Sequence, residues 1–167
     1  MKFAVYGAGA IGGYLGAKLA LSGEDVHLIA RGPHLAAIKS NGIHIYGENE
    51  DILANPNASD KPSEIGPVDF LFLTVKAHGL TDIAPQIHPL LHDETTIISA
   101  QNGIPWWYFE KHGGPWDGSD LESVDPNGII SENIDINRVI GCIVYPSTEL
   151  VEPGIIKHIE GDRFSLG

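Results

Sequence analysis

Lys2-Phe3-Ala4-Val5-Tyr6-Gly7-Ala8-Gly9-Ala10-Ile11-Gly12-Gly13 is the stretch on which the fold turns. Lys2 to Tyr6 reads as a short buried strand. Gly7, Gly9 and Gly12 then follow the spacing G-x-G-x-x-G, and a helical pattern starts at once, with Ile11, Leu15 and Leu19 on one face. Each glycine has its own task in a dinucleotide site. Gly7 permits the tight turn out of the strand, Gly9 lets the backbone approach a pyrophosphate, and Gly12 lets the helix pack on the sheet. The spacing therefore predicts a phosphate cradle built from Gly7, Ala8, Gly9, Ala10, Ile11 and Gly12. Its free N–H groups and the positive end of the helix dipole face the phosphates.

In a chain with 20 glycines the spacing alone is a weak signal, and context strengthens it. It follows a strand and opens a helix, and Ser22-Gly23 supplies a helix stop. Asp25 to Ala30 then reads as a second strand, which closes a compact βαβ unit. The plain alternative is a glycine-rich turn with no ligand.

The second strand leads into Ala30-Arg31-Gly32. A site that prefers NAD places Asp or Glu about 20 residues past the glycines, on the ribose 2′-hydroxyl. This chain has Arg31 there, and no carboxylate follows until Glu48. A guanidinium grips a 2′-phosphate with two parallel hydrogen bonds, so the expected cofactor is NADP(H). The bland reading of Arg31 is a solvated loop charge.

Composition narrows the rest. At 167 residues one domain is the default, and a hydrophobic fraction of 43% with 19% charged residues is that of an ordinary globule. The net charge of −12 disfavours nucleic acid or an anionic membrane as partner, since both need clustered Lys and Arg. It also makes Arg31 and Lys76 conspicuous, because a polyanionic cofactor needs local positive charge. Cys142 stands alone, in a strand-like run, and reads as a small buried core residue; a lone cysteine suits a reducing compartment. No apolar stretch approaches the roughly 20 residues of a membrane helix, and no signal peptide is recognisable. The expected location is cytoplasmic.

Along the chain, Pro33 to Ser40 reads as a helix ending at Asn41-Gly42, with extended pieces at Ile43 to Tyr46 and Asp51 to Leu53. Asn55 to Gly66 is polar, contains two prolines and reads as a loop. Val68 to Val75 is a near-continuous apolar run, as expected of a strand buried on both faces. Leu80 to Leu91 reads as a helix with Thr81 as its cap and a late start or kink at Pro85. Thr96 to Ala100 is a further buried strand. Gly113 to Gly128 reads as a surface insertion, Ile129 to Ile136 as a short helical piece, and Val139 to Tyr145, Ile155 to Ile159 and Arg163 to Leu166 as strands. Strands alternating with helices predict an α/β fold: a Rossmann-like, doubly wound, mostly parallel sheet with helices on both faces.

Four motifs occur in order: Gly7-Ala-Gly-Ala-Ile-Gly-Gly, Ala30-Arg31-Gly32, Leu73-Thr74-Val75-Lys76-Ala77 and Gln101-Asn102-Gly103-Ile104. Together with Gly141-Cys142, Pro153-Gly154-Ile155-Ile156-Lys157-His158 and the run Arg163 to Gly167, they resemble the ketopantoate reductase (2-dehydropantoate 2-reductase) family across essentially the whole chain. The resemblance implies an N-terminal Rossmann-type domain that holds NADPH. It also implies a helical C-terminal domain carrying the general-acid lysine, with an active site in the cleft between the two. The implied reaction reduces 2-dehydropantoate to pantoate, on the way to pantothenate and coenzyme A. None of the seven lysines here matches the catalytic one. The expectation is thus that residues 1–167 are the cofactor domain, that the helical domain is absent from this chain, and that the chain binds cofactor without turnover.

Lys76 follows the third buried strand, at the carboxyl end where α/β sheets bind ligands. It reads as a contact to cofactor or anionic substrate, and the resemblance also places a lysine here; the alternative is a solvated charge. Asn102 follows the next strand on the same edge. Its amide both donates and accepts, which suits orientation of the nicotinamide ribose or a substrate oxygen, and the alternative is a plain Asn-Gly turn. His88 and His92, four apart, read as surface histidines, and no metal site is expected. The aromatic run Trp106 to Phe109 reads as packing near the absent domain or a neighbouring subunit, which leaves a homo-oligomer open. The expected partner is a small 2-oxo acid. The insertion at 113–128 and the acidic surface leave which 2-oxo acid open. Two other readings stay open: an NADP-dependent dehydrogenase of the 6-phosphogluconate or hydroxyacyl type, and a non-catalytic NADP-binding sensor.

Overall fold

A computed structural model describes residues 1–167. In chain order the first elements are β1 (Lys2–Tyr6), α1 (Ala10–Leu21), β2 (Asp25–Ile29), α2 (Gly32–Asn41), β3 (Ile43–Tyr46), β4 (Asp51–Ala54), β5 (Asn57–Ser59) and α3 (Pro62–Ile65). They are followed by β6 (Phe70–Leu73), α4 (Leu80–Ile83), β7 (Thr96–Ser99), α5 (Ile129–Asn133), β8 (Val139–Val144), β9 (Ser147–Glu152), β10 (Ile155–Glu160) and β11 (Phe164–Leu166).

The main sheet has seven strands in the order β11-β8-β7-β6-β1-β2-β5. All its pairings are parallel except that of β11 with β8. Continuous apolar runs such as Phe70-Leu71-Phe72-Leu73 suit this, since a parallel strand is covered on both faces. One face carries α1 and α2; the other carries α4, α5 and Trp106, whose core includes Leu71, Leu73, Ile97 and Ile130. The chain first winds from β1 through β2 to β5, then returns to lay β6 on the other side of β1. The winding therefore reverses between β1 and β6, the place where open α/β sheets leave a crevice at their carboxyl edge.

A second sheet of four strands, in the order β4-β3-β10-β9, covers the outer side of α1. This explains why α1 is apolar around its circumference rather than on one stripe. A Cβ at Gly13 would lie 2.6 Å from Ile156 Cδ1 on the second sheet, and one at Gly16 would overlap Leu28 on the first. Ile43, Ile45 and Ile156 are fully buried against the helix, each contributing about 1.5–3 kcal/mol of apolar burial. Glu50 pins the arrangement by bridging Lys18 on α1 and His158 on β10, 3.1 Å away.

The structure corrects the sequence reading in places. Asn55–Gly66 is not a plain loop: it holds β5, which pairs with β2, and α3. The helix expected over Leu80–Leu91 is only Leu80–Ile83, with Gly79 rather than Thr81 at its N-cap, followed by 3₁₀ turns at Ala84–Gln86 and His88–Leu90. Pro85 and Pro89 each lack the N–H an α-helix would use, so the segment tightens instead of continuing. β9 was not anticipated. Its burial is slight, so it carries no inward apolar alternation. Trp106 is 7% exposed and packed in the chain's own core, edge-on to Trp107, rather than held for another domain or subunit. Cys142 is buried, as expected, and burial pushes its thiol pKa up.

Candidate functional site

The glycine loop, Arg31, Lys76 and Asn102 lie at the carboxyl edge of the main sheet, whereas Pro153–His158 lies on the second sheet. β1 ends at Tyr6, and the chain turns through Gly7, whose φ of +104° suits glycine. A Cβ on Gly7 would lie 2.7 Å from Val75 Cγ1, so the two loops at the reversal touch through a glycine. A Cβ on Gly12 would overlap the Gly7 carbonyl oxygen and Thr74 Oγ1. Gly9 is different. Its φ is −69°, and a Cβ there would meet nothing within 4 Å. Neither conformation nor internal packing calls for glycine at this position; the open side faces the cleft.

The loop is stapled from below. Thr74 Oγ1 donates toward the Gly7 carbonyl at 2.8 Å and the Tyr6 carbonyl at 3.1 Å, and Gln101 Nε2 donates to the Val75 carbonyl at 2.6 Å. The first helical hydrogen bond of α1 runs from the Gly13 N–H to the Gly9 carbonyl at 2.7 Å. The N–H groups of Ala10, Ile11 and Gly12 have no partner within the chain, and they open a 12-residue helix. Such an end presents free donors and a partial positive charge, the arrangement that receives anions.

A cleft of about 470 Å³ spreads over this loop, lined by Ala8 to Ile11, Arg31 and Lys76 among others. An adjoining hollow of about 350 Å³ shares Ile11, Thr74, Val75, Lys76 and Thr148 with it and extends to Asn102. Together they form a groove across the carboxyl ends of β1, β6 and β7. Arg31 and Lys76 are exposed, and their side chains make no hydrogen bond or ion pair with protein groups. The cleft thus holds two cationic side chains with no protein partner, alongside the carboxylates of Asp60 and Asp82. Tyr6 lines the floor, 6% exposed, with its hydroxyl donating to Gln86 Oε1 at 3.2 Å. Burial raises its pKa, and the Arg31 charge partly offsets the rise.

Asn102 reaches the groove with its amide already engaged: Nδ2 donates to the Val144 carbonyl and Oδ1 accepts from the Val144 N–H. His88 and His92 are exposed, and His88 Nε2 faces Asn133 Oδ1 at 3.2 Å. No three His, Cys, Asp or Glu side chains converge on a point that would hold a metal. The insertion at 113–128 exposes Trp116, and Tyr108 just before it is exposed too. No helix is long and apolar enough to cross a membrane. The sequence reading missed His34, Asp60 and Gln86, which also line the cleft. No local motif marks them, because the fold gathers them from separate elements.

The reversal point and the glycine loop define a Rossmann-type α/β domain with an open groove at the carboxyl edge of its sheet. Residues 3–106 match the family model described as Ketopantoate reductase PanE/ApbA, and the chain belongs to that family. It is 50% identical to a 2-dehydropantoate 2-reductase of Mesorhizobium japonicum over 168 residues, covering 100% of this chain and 52% of that protein. A candidate ketopantoate reductase from Ralstonia solanacearum MolK2 superposes with a TM-score of 0.92 at 38% identity, covering 99% of this chain and 51% of that one. A 2-dehydropantoate 2-reductase from Porphyromonas gingivalis W83 gives 0.77 at 30% identity, covering 98% and 53%. The chain spans about half the length of these relatives.

Proposed function

We propose that residues 1–167 form the NADP(H)-binding domain of a reductase that converts 2-dehydropantoate, or a closely related 2-oxo acid, to the 2-hydroxy acid. The observation that carries this is that Arg31, Lys76 and the helix-opening residues Ala10 and Ile11, whose N–H groups have no partner within the chain, line one groove with an open position at Gly9. Gly9 leaves room for a pyrophosphate against bare backbone. Arg31, at the end of β2, suits the adenosine 2′-phosphate. Lys76 and Asn102, further along the groove, suit the nicotinamide end and the substrate carboxylate.

When bound, the nicotinamide supplies a hydride for the C2 carbonyl. Arg31 and the glycine-loop N–H groups would hold the phosphates, and Lys76 would place positive charge beside the substrate anion. The family resemblance implies that a proton for the product alkoxide would come from a lysine of a helical domain, in a cytoplasmic enzyme. Residues 1–167 therefore bind cofactor and do not turn over alone.

Titration with NADPH and NADH tests the assignment. NADPH should bind more tightly, and Arg31→Ala should remove most of a roughly ten- to hundredfold difference, the worth of a charge-assisted phosphate contact. Equal affinity for the two cofactors in the unmutated protein contradicts it.

A further inference from the structure

His34 sits in the first turn of α2 and uses both ring nitrogens. The Gly154 N–H donates to Nδ1 at 3.0 Å, and Nε2 lies 2.5 Å from the Ala8 carbonyl oxygen. A nitrogen that accepts from an N–H carries a lone pair, so these partners assign the proton to Nε2, which donates to Ala8. Gly154 belongs to the turn between β9 and β10, in the second sheet, and Ala8 lies between the first two glycines of the loop. One imidazole thus joins the loop to a sheet built from a distant part of the chain.

The carbonyl it holds matters. Ala8 precedes the N-cap Gly9, so its carbonyl lies outside the hydrogen-bond ladder of α1 and the His34 ring supplies its partner. The Ala8 N–H is also committed, to the Ile29 carbonyl at 3.0 Å. Ala8 is therefore fixed at both its N–H and its carbonyl, beside the cleft that His34 also helps to line.

We infer that His34 is a positioning residue for the phosphate-receiving loop, holding the Ala8 carbonyl and with it the path of the backbone from Gly7 to Gly9, where a pyrophosphate would approach. The inference rests on the dinucleotide reading of the groove. It concerns the pyrophosphate segment alone, and it sets the second sheet as the anchor of that segment.

The test compares two probes, NADPH and adenosine 2′-monophosphate, which reaches the Arg31 end without spanning the glycine loop. His34→Phe keeps the ring outline and removes both nitrogens. It should weaken NADPH about tenfold, the effect of one lost hydrogen bond on a positioned loop, and leave adenosine 2′-monophosphate unchanged. His34→Gln, which retains a donor and an acceptor, should recover most of the NADPH affinity. Unchanged NADPH affinity in His34→Phe, or equal losses for both probes, overturns the inference while leaving the groove assignment standing. Failure of the unmutated chain to bind either probe removes the groove assignment, and the inference with it. Imidazole ¹⁵N shifts of the unmutated apo protein should show a bare Nδ1 and a protonated Nε2, and a proton on Nδ1 overturns the inference without any variant.

Discussion

Asn102 grips Val144 with both ends of its amide: Nδ2 donates to the Val144 carbonyl at 3.0 Å and Oδ1 accepts from the Val144 N–H at 3.1 Å. The side chain thereby acts as a short extra rung between the loop after β7 and the end of β8. Asn102→Ala should lower the unfolding free energy by about 1–2 kcal/mol, because two hydrogen bonds to backbone are lost. Asn102→Asp should cost at least as much, since a carboxylate oxygen would replace the donor facing the Val144 carbonyl. Urea unfolding of the apo protein measures both. Wild-type stability in both variants would show that the pairing holds nothing.

The glycine loop contributes to apo stability at Gly12. An added Cβ there overlaps the Gly7 carbonyl and Thr74 Oγ1, and neither is the free end of a flexible side chain. Gly12→Ala should destabilise the apo protein by about 1–3 kcal/mol, the usual effect of forcing atoms into a filled contact. Thermal unfolding without ligand reads this directly, and an unchanged midpoint would contradict the observed helix–sheet contact.

Acid should weaken the fold through two exposed carboxylates. A hydrogen bond from Ser59, then one from Lys61, hold the Glu64 pKa below its ordinary value of 4.5, and the Asn137 N–H holds Asp135 below 3.8. For a depressed carboxylate the stabilisation is complete above the unfolded-state pKa and is lost as pH falls through the folded one. The stability of the unmutated chain should therefore decline as pH drops below about 4.5, the ordinary value for Glu64. Glu64→Gln should flatten part of that decline while lowering stability near neutrality. A decline of the same slope in Glu64→Gln would show that Glu64 contributes nothing to it.

The sequence made legible what is local. The glycine loop, Arg31, Lys76 and the buried strands each announce themselves within a few residues, through spacing, a charge at a strand end, or a continuous apolar run. What it concealed is long-range or weakly patterned. β5 is Asn57-Ala58-Ser59, a polar edge strand with no apolar signature, held by its pairing with β2. The second sheet pairs Ile43–Tyr46 with Ile155–Glu160, segments separated by most of the chain, and it explains the all-round apolar α1 that a single-stripe reading of Ile11, Leu15 and Leu19 missed. His34 reads as an ordinary helix residue until the fold brings Ala8 and Gly154 to its two nitrogens. Asn102 was legible as a polar residue at the carboxyl edge, but its bond to Val144 depends on a β7–β8 neighbourhood that no spacing reveals.

The central claim is that the groove over Gly9 receives the pyrophosphate of NADP(H), and Gly9→Val tests it most directly. Gly9 has an ordinary negative φ and open space where a side chain would go, so the apo protein should keep its unfolding midpoint to within a few degrees. The branched side chain would then fill the space the pyrophosphate needs. The measurement is an NADPH titration of folded Gly9→Val beside the unmutated chain. Binding should be lost in the variant, and a folded variant that binds NADPH with the original affinity would show that the groove does not receive the pyrophosphate.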